Sequence, residues 1–194
     1  MNMQPMVQPF SFDLSTLVPR SVASLYSNLV TRPTGRALRI GIETQIGELG
    51  TCCLSVLDFT QVVVLDYSCA DEAVAKLVQR YRAADRPGDV YFLARGLGEQ
   101  HRQPIEAVLH RYELILAAEL DAGGATLLGE ADPFETRAWT ALQRLRQSGA
   151  APVAEALGCR FTDAAIALES LAARRVILRH NADDYLALSA LLGR

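Results

Sequence analysis

An alternation constrains this chain more than any other feature of its sequence. From residue 52 to 118, short β-rich apolar runs take turns with segments whose apolar residues recur at helical spacing. The runs predict strands at 52–59, 62–65, 90–94 and 113–118. Leu38, Ile42, Ile46 and Leu49 form one helical stripe, which Gly50 ends. Ala73, Val74, Leu77, Val78 and Tyr81 form a second stripe, and Ile105, Val108 and Leu109 a third. Residues 10–17 alternate and read as a first strand, and 21–29 read as a short helix. Strands interleaved with helices imply the α/β class, a largely parallel or mixed sheet with covering helices.

The pattern breaks at Asp121-Ala122-Gly123-Gly124, and 121–133 reads as a linker. Beyond it the design changes. Residues 134–147 read as a helix with Phe134, Trp139, Leu142 and Leu145 toward a core. A short helix at 153–157 stops at Gly158, and Thr162 is placed to cap a helix to about 174. Residues 176–178 and 185–188 then flank the polar tip 180–184. Helix, helix, turn, helix and hairpin is the order of a winged helix-turn-helix. The expected organisation is a flexible leader at 1–9, an α/β domain at 10–120, the linker, and a separately packed winged-helix-like domain at 134–194.

Half of the residues are apolar and 21% are charged, which suits a chain that buries a core. The longest apolar runs are too short to span a bilayer, and the first ten residues lack the basic-then-apolar order of a secretory signal. With Cys52, Cys53, Cys69 and Cys159 forming no CxxC pair, the expectation is reduced thiols in a cytoplasmic protein without a metal site. Residues 1–133 carry 11 basic and 16 acidic side chains, against 8 and 6 in residues 134–194. The acidic first part argues against nucleic acid as its main partner, and the mildly basic second part permits weak DNA binding.

No Ser-His-Asp arrangement, carboxylate pair or Gly-rich cofactor fingerprint emerges, and His101, His110 and His180 read as surface histidines. The chain is therefore read as a non-enzyme with no cofactor. Asp66-Tyr67-Ser68 opens the second helix, and Ser68 with Asp71 three residues on has the spacing of a cap. Arg32, Thr34 and Arg36 lie in a turn that could bind an anion, with Thr34 placed to cap the first helix. Thr162 and Ser170 face outward on the third C-terminal helix, followed by Arg174, Arg175 and Arg179. These five are candidate DNA or partner contacts, although Asp163 and Glu169 would face phosphates unfavourably.

Residues 54–77, LSVLDFTQVVVLDYSCADEAVAKL, resemble STAS and STAS-like domains, the sulfate-transporter and anti-sigma-factor-antagonist group. The shared signature is a strand with Leu-Asp, a short connection, and a serine-containing turn that opens a helix. The sequence departs from it at Tyr67, where a second hydroxyl residue is usual, and at Cys69, where glycine is. The resemblance implies a STAS-like domain over the first part, a protein partner such as a kinase or sigma-factor regulator, and regulatory phosphorylation at most at Ser68. Residues 152–158, PVAEALG, and 168–179, LESLAARRVILR, resemble a winged-helix domain. Together these imply a regulatory adaptor whose second module supports homodimerisation or DNA binding. A transcription factor with a STAS-like sensor is the alternative reading, and a hydrolase or nucleotide-binding enzyme is a third.

Overall fold

The computed structural model describes residues 18–50 and 52–192. The expected leader at 1–9 and strand at 10–17 lie outside them. The chain is an α/β protein built on a mixed five-stranded sheet, in the order β1 (Arg20–Ser24), β3 (Cys52–Asp58), β5 (Asp89–Leu97), β6 (Ile115–Leu120), β7 (Ala125–Gly129). The first four strands run parallel and β7 turns back antiparallel to β6. A two-residue ladder of β2 (Asn28–Leu29) and β4 (Val64–Leu65) sits beyond the ends of β1 and β3.

Helices α1 (Arg32–Leu49), α2 (Tyr67–Ala70), α3 (Lys76–Arg82) and α4 (Glu99–Arg111) connect these strands. A π-helical turn, Asp71–Ala75, joins α2 to α3. Strand side chains alternate between faces. Cys53 and Leu57 of β3 and Val90 and Phe92 of β5 therefore share one core with Ile42, Ile46, Leu77 and Ile105 from the helices.

The opposite face is equally buried. Leu54, Val56, Leu93, Ile115 and Ala117 pack with Trp139, Leu142, Leu168, Leu171 and Ile177. These last come from the C-terminal half, which contains α5 (Pro133–Leu145), β8 (Gln147–Ser148), α6 (Ala150–Leu157), α7 (Phe161–Ala173), β9 (Ile177–Asn181), β10 (Asp184–Ala187) and a 3₁₀ turn at Leu188–Leu192. Its three strands form a small sheet in the order β8, β10, β9.

Several expectations change. The linker at 121–133 contains β7, and a sheet face is shared with the C-terminal half, so separate packing gives way to a common core. Such a face, apolar on both sides of the sheet, must be covered. Residues 21–29 form β1 and β2, because pairing with β3 and β4 satisfies their backbone and buries Ala23, Leu25 and Leu29. Leu145 is exposed. His101 is buried rather than on the surface: its Nδ1 accepts from Gly98 N (3.1 Å), and Nε2 lies 2.8 Å from the Val62 carbonyl as donor.

Candidate functional site

The two motifs that stand apart in the sequence meet in space. The Asp66 backbone is extended, and its Oδ1 accepts from Cys69 N at 2.7 Å, capping α2. Its Oδ2 accepts from Thr31 N at 3.0 Å, just ahead of α1. Asp66 thus holds two helix starts, and the cap expected at Ser68 belongs to it. Ser68 is the second residue of α2, half-buried. Thr34 does not cap α1 either: the helix begins at Arg32, with Pro33 in its first turn, and Thr34 Oγ1 lies 3.1 Å from Thr31 Oγ1. Proline suits that turn because its missing N–H would have no helical partner there.

One turn further, α1 and the π-helical turn enclose a cluster of charges. The Arg32 guanidinium donates to Asp71 Oδ2 at 2.6 Å and to Glu72 Oε1 at 2.9 Å. Tyr112 Oη donates to Asp71 Oδ1 at 2.8 Å, Lys76 pairs with Glu72, and Arg39 lies 3.5 Å from Glu72 Oε2. Asp71 and Glu72 are buried, whereas half of the Arg32 side chain remains in solvent. Burial pushes the Asp71 carboxyl up, but hydrogen bonds from Arg32 and Tyr112 with Lys76 nearby outweigh it, so it titrates below the ordinary range. Glu72 is likewise held low, its burial outweighed by Lys76 and Arg32.

The anion-binding turn expected from Arg32, Thr34 and Arg36 is therefore not formed as such. Arg32 serves two carboxylates, while Arg36 points to solvent from the exposed side of α1. Around this corner, Tyr26, Val30, Val63, Val64 and Tyr67 are exposed. Their segments run side by side, because Val63 N and Val64 N donate to Ser27 O and Asp66 N donates to Leu29 O.

In the C-terminal half most of the expected contact residues are engaged by other groups of the chain. Arg174, with 16% of its side chain exposed, pairs with Glu135 (2.9 Å) and donates to the Glu130 carbonyl. Arg175, 13% exposed, donates to Val90 O (3.0 Å), pairs with Asp89 (3.0 Å) and lies over the Tyr91 ring at 4.6 Å. Arg175 fastens the C-terminal half to β5 of the five-stranded sheet, while Arg174 ties the end of α7 to α5 and to the segment that follows β7. Arg179 pairs with Glu169 and donates to the Ala182 carbonyl. Ser170 donates to Glu135, and Thr162 is exposed in the first turn of α7 without capping it.

Beside exposed Thr162 and Glu169, α7 also shows large apolar side chains to solvent: Phe161 and Ile166 are exposed, the latter at 69%. Asp163, Ile166, Ala167 and Ser170 of α7, at i, i+3, i+4 and i+7, line a groove of about 460 Å³ with Asp132, Phe134 and Glu135 at the start of α5. Thr162 and Ser170 are the outward residues the sequence suggests on this helix, whereas Ile166 has no such mark. An isoleucine between them, out of step with the buried Ala164, Leu168 and Leu171, is the signal that could have found it.

No family profile matches the chain, and no curated protein or solved structure matches it significantly. Among the described residues no group of His, Cys, Asp and Glu could hold a metal ion, and no helix is long and apolar enough to cross a membrane.

Proposed function

We propose that this chain is a regulatory adaptor that works by protein contact, with a STAS-like α/β layer backed by a winged-helix-like module. The observation that carries this reading is the fate of the arginines. Arg174, Arg175 and Arg179, which a DNA-binding winged helix would aim at phosphates, are held by Glu135, Asp89 and Glu169. Phosphate contacts dominate DNA affinity, so a module in which Arg174 and Arg175 are drawn into internal ion pairs and half-exposed Arg179 is paired at the surface has a weakened attraction for DNA. Exposed apolar side chains on α7, and around Ser68 on the layer, suit protein partners instead.

The layer's partner in this reading is a kinase or sigma-factor regulator in the cytoplasm, with Ser68 at the rim of its contact. The order α5, β8, α6, α7, β9, β10 with a three-stranded sheet supports the winged-helix comparison. The same order keeps a transcription factor with a STAS-like sensor as the second reading.

Anisotropy titrations of labelled duplexes separate the two. The adaptor reading expects binding absent or confined to low salt and indifferent to sequence. Nanomolar, sequence-selective binding at physiological salt overturns it. Affinity purification from the native cell, with mass spectrometry of co-eluting proteins, then identifies the partner.

A further inference from the structure

The groove between α5 and α7 has a chemistry that narrows what can occupy it. Its apolar floor is Phe134, Ile166 and Ala167, and its rim carries three carboxylates, Asp132, Glu135 and Asp163, with no cationic side chain in the lining. The neighbouring cations are engaged by groups of the chain, and Arg137 lies over the Phe134 ring at 6.0 Å while donating to the Leu157 carbonyl. Arg160 holds Asp163 through both oxygens (3.0 and 2.9 Å), and Arg174 holds Glu135.

Asp132 differs. Its Oδ1 takes both cap bonds, from Phe134 N (2.7 Å) and Glu135 N (3.3 Å), which leaves Oδ2 without a partner among the described residues. The groove thus offers an apolar seat beside an unengaged negative oxygen. Nucleic acid is repelled by such a rim.

We propose that this groove receives a segment of a partner protein that carries one large apolar side chain next to a lysine or arginine. The apolar side chain packs on Ile166 and Phe134, and the cation reaches Asp132 Oδ2. This inference rests on the protein-contact reading of the C-terminal module and adds the site and the chemistry of the occupant. Ile166 is the anchor contact, because a large apolar side chain exposed in a lined groove is where desolvation on binding concentrates.

The test pans a random twelve-residue peptide library, displayed on phage, against the full chain and against Ile166→Asp. A labelled synthetic peptide of the enriched consensus is then titrated by anisotropy. Since Ile166 is exposed, the substitution leaves the fold intact, which far-UV circular dichroism checks. The proposal expects a consensus of one large apolar residue beside Lys or Arg. It expects at least about tenfold weaker binding to Ile166→Asp. Asp132→Asn, which keeps the cap, should weaken binding several-fold at low salt and less at high salt.

Absence of enrichment over an unrelated protein, an acidic consensus, or equal binding to Ile166→Asp overturns the groove assignment. Duplex DNA that binds sequence-selectively and displaces the peptide overturns the parent reading as well. Peptides that bind equally to Ile166→Asp, without duplex binding, sink the groove assignment alone.

Discussion

Single side chains set the terms at the corner where α1 meets α2. One carboxylate, Asp66, receives the N–H groups that start two helices, and its neighbour Ser68 does not share the task. Asp66→Ala should lower the unfolding free energy by about 0.5–2 kcal/mol, and Ser68→Ala by no more than about 0.5 kcal/mol. Denaturant titration of both variants checks the assignment, and the reverse ranking would return the cap to Ser68. The buried pair beside it carries a pH signature. Asp71 and Glu72 titrate lower in the folded chain than in the unfolded one. The stability they add is therefore complete above the ordinary carboxylate range, about 4. It is lost as the pH falls through the lowered folded values. The stability gap between the parent chain and Asp71→Asn should narrow on acidification below about pH 4, as read from urea midpoints. A gap that stays constant into strong acid would mean that Asp71 is not held low.

At the scale of elements, the close crossing of α1 over α2 depends on a missing side chain. A Cβ at Gly35 would lie 2.8 Å from the Cys69 carbonyl oxygen and 2.9 Å from both Cys69 Cα and Glu72 Cβ. The first two neighbours are backbone and cannot swing away. Gly35→Ala should cost about 1–3 kcal/mol through overpacking. Gly47, in the same helix, faces open space. Gly47→Ala should stabilise by about 0.5–1 kcal/mol, the ordinary gain from replacing glycine inside a helix. Thermal melts of the two variants should therefore move in opposite directions. A parallel shift would show that the α1–α2 approach is looser than described. The crossing also explains why the charge cluster exists: with the backbones this close, Arg32 spans both carboxylates of the π-helical turn.

For the whole molecule, the shared sheet face should make the two halves unfold as one cooperative body. Trp139, the only tryptophan, is buried against the far face of the sheet, and its indole N–H donates to Val176 O at 3.3 Å. Its fluorescence reports the C-terminal half, while far-UV circular dichroism reports helices and strands throughout. The two signals should trace coincident unfolding curves. Separate midpoints would restore two independently folding units. Arg175 ties the halves at the start of β5, so Arg175→Ala should move both curves together.

The sequence by itself determined the local periods and hence most of the elements. The stripes of α1, α3 and α4 and the apolar runs of β3, β5 and β6 could be read because each is a repeat within a few residues. Asp66 stands among the residues of the turn that opens the second helix, but its bond to Thr31 and the close approach at Gly35 are not legible in the sequence, because each is defined by the segment opposite. Residues 21–29 and 121–133 were misread for the same reason: a strand of weak local pattern exists through its partners, here β3 for β1 and β6 for β7. Only the tertiary structure decided that Arg174 and Arg175 turn inward and that Ile166 turns outward. Helical period says which side chains share a face, and the direction of that face is set by what packs against the helix, which lies far away in the chain.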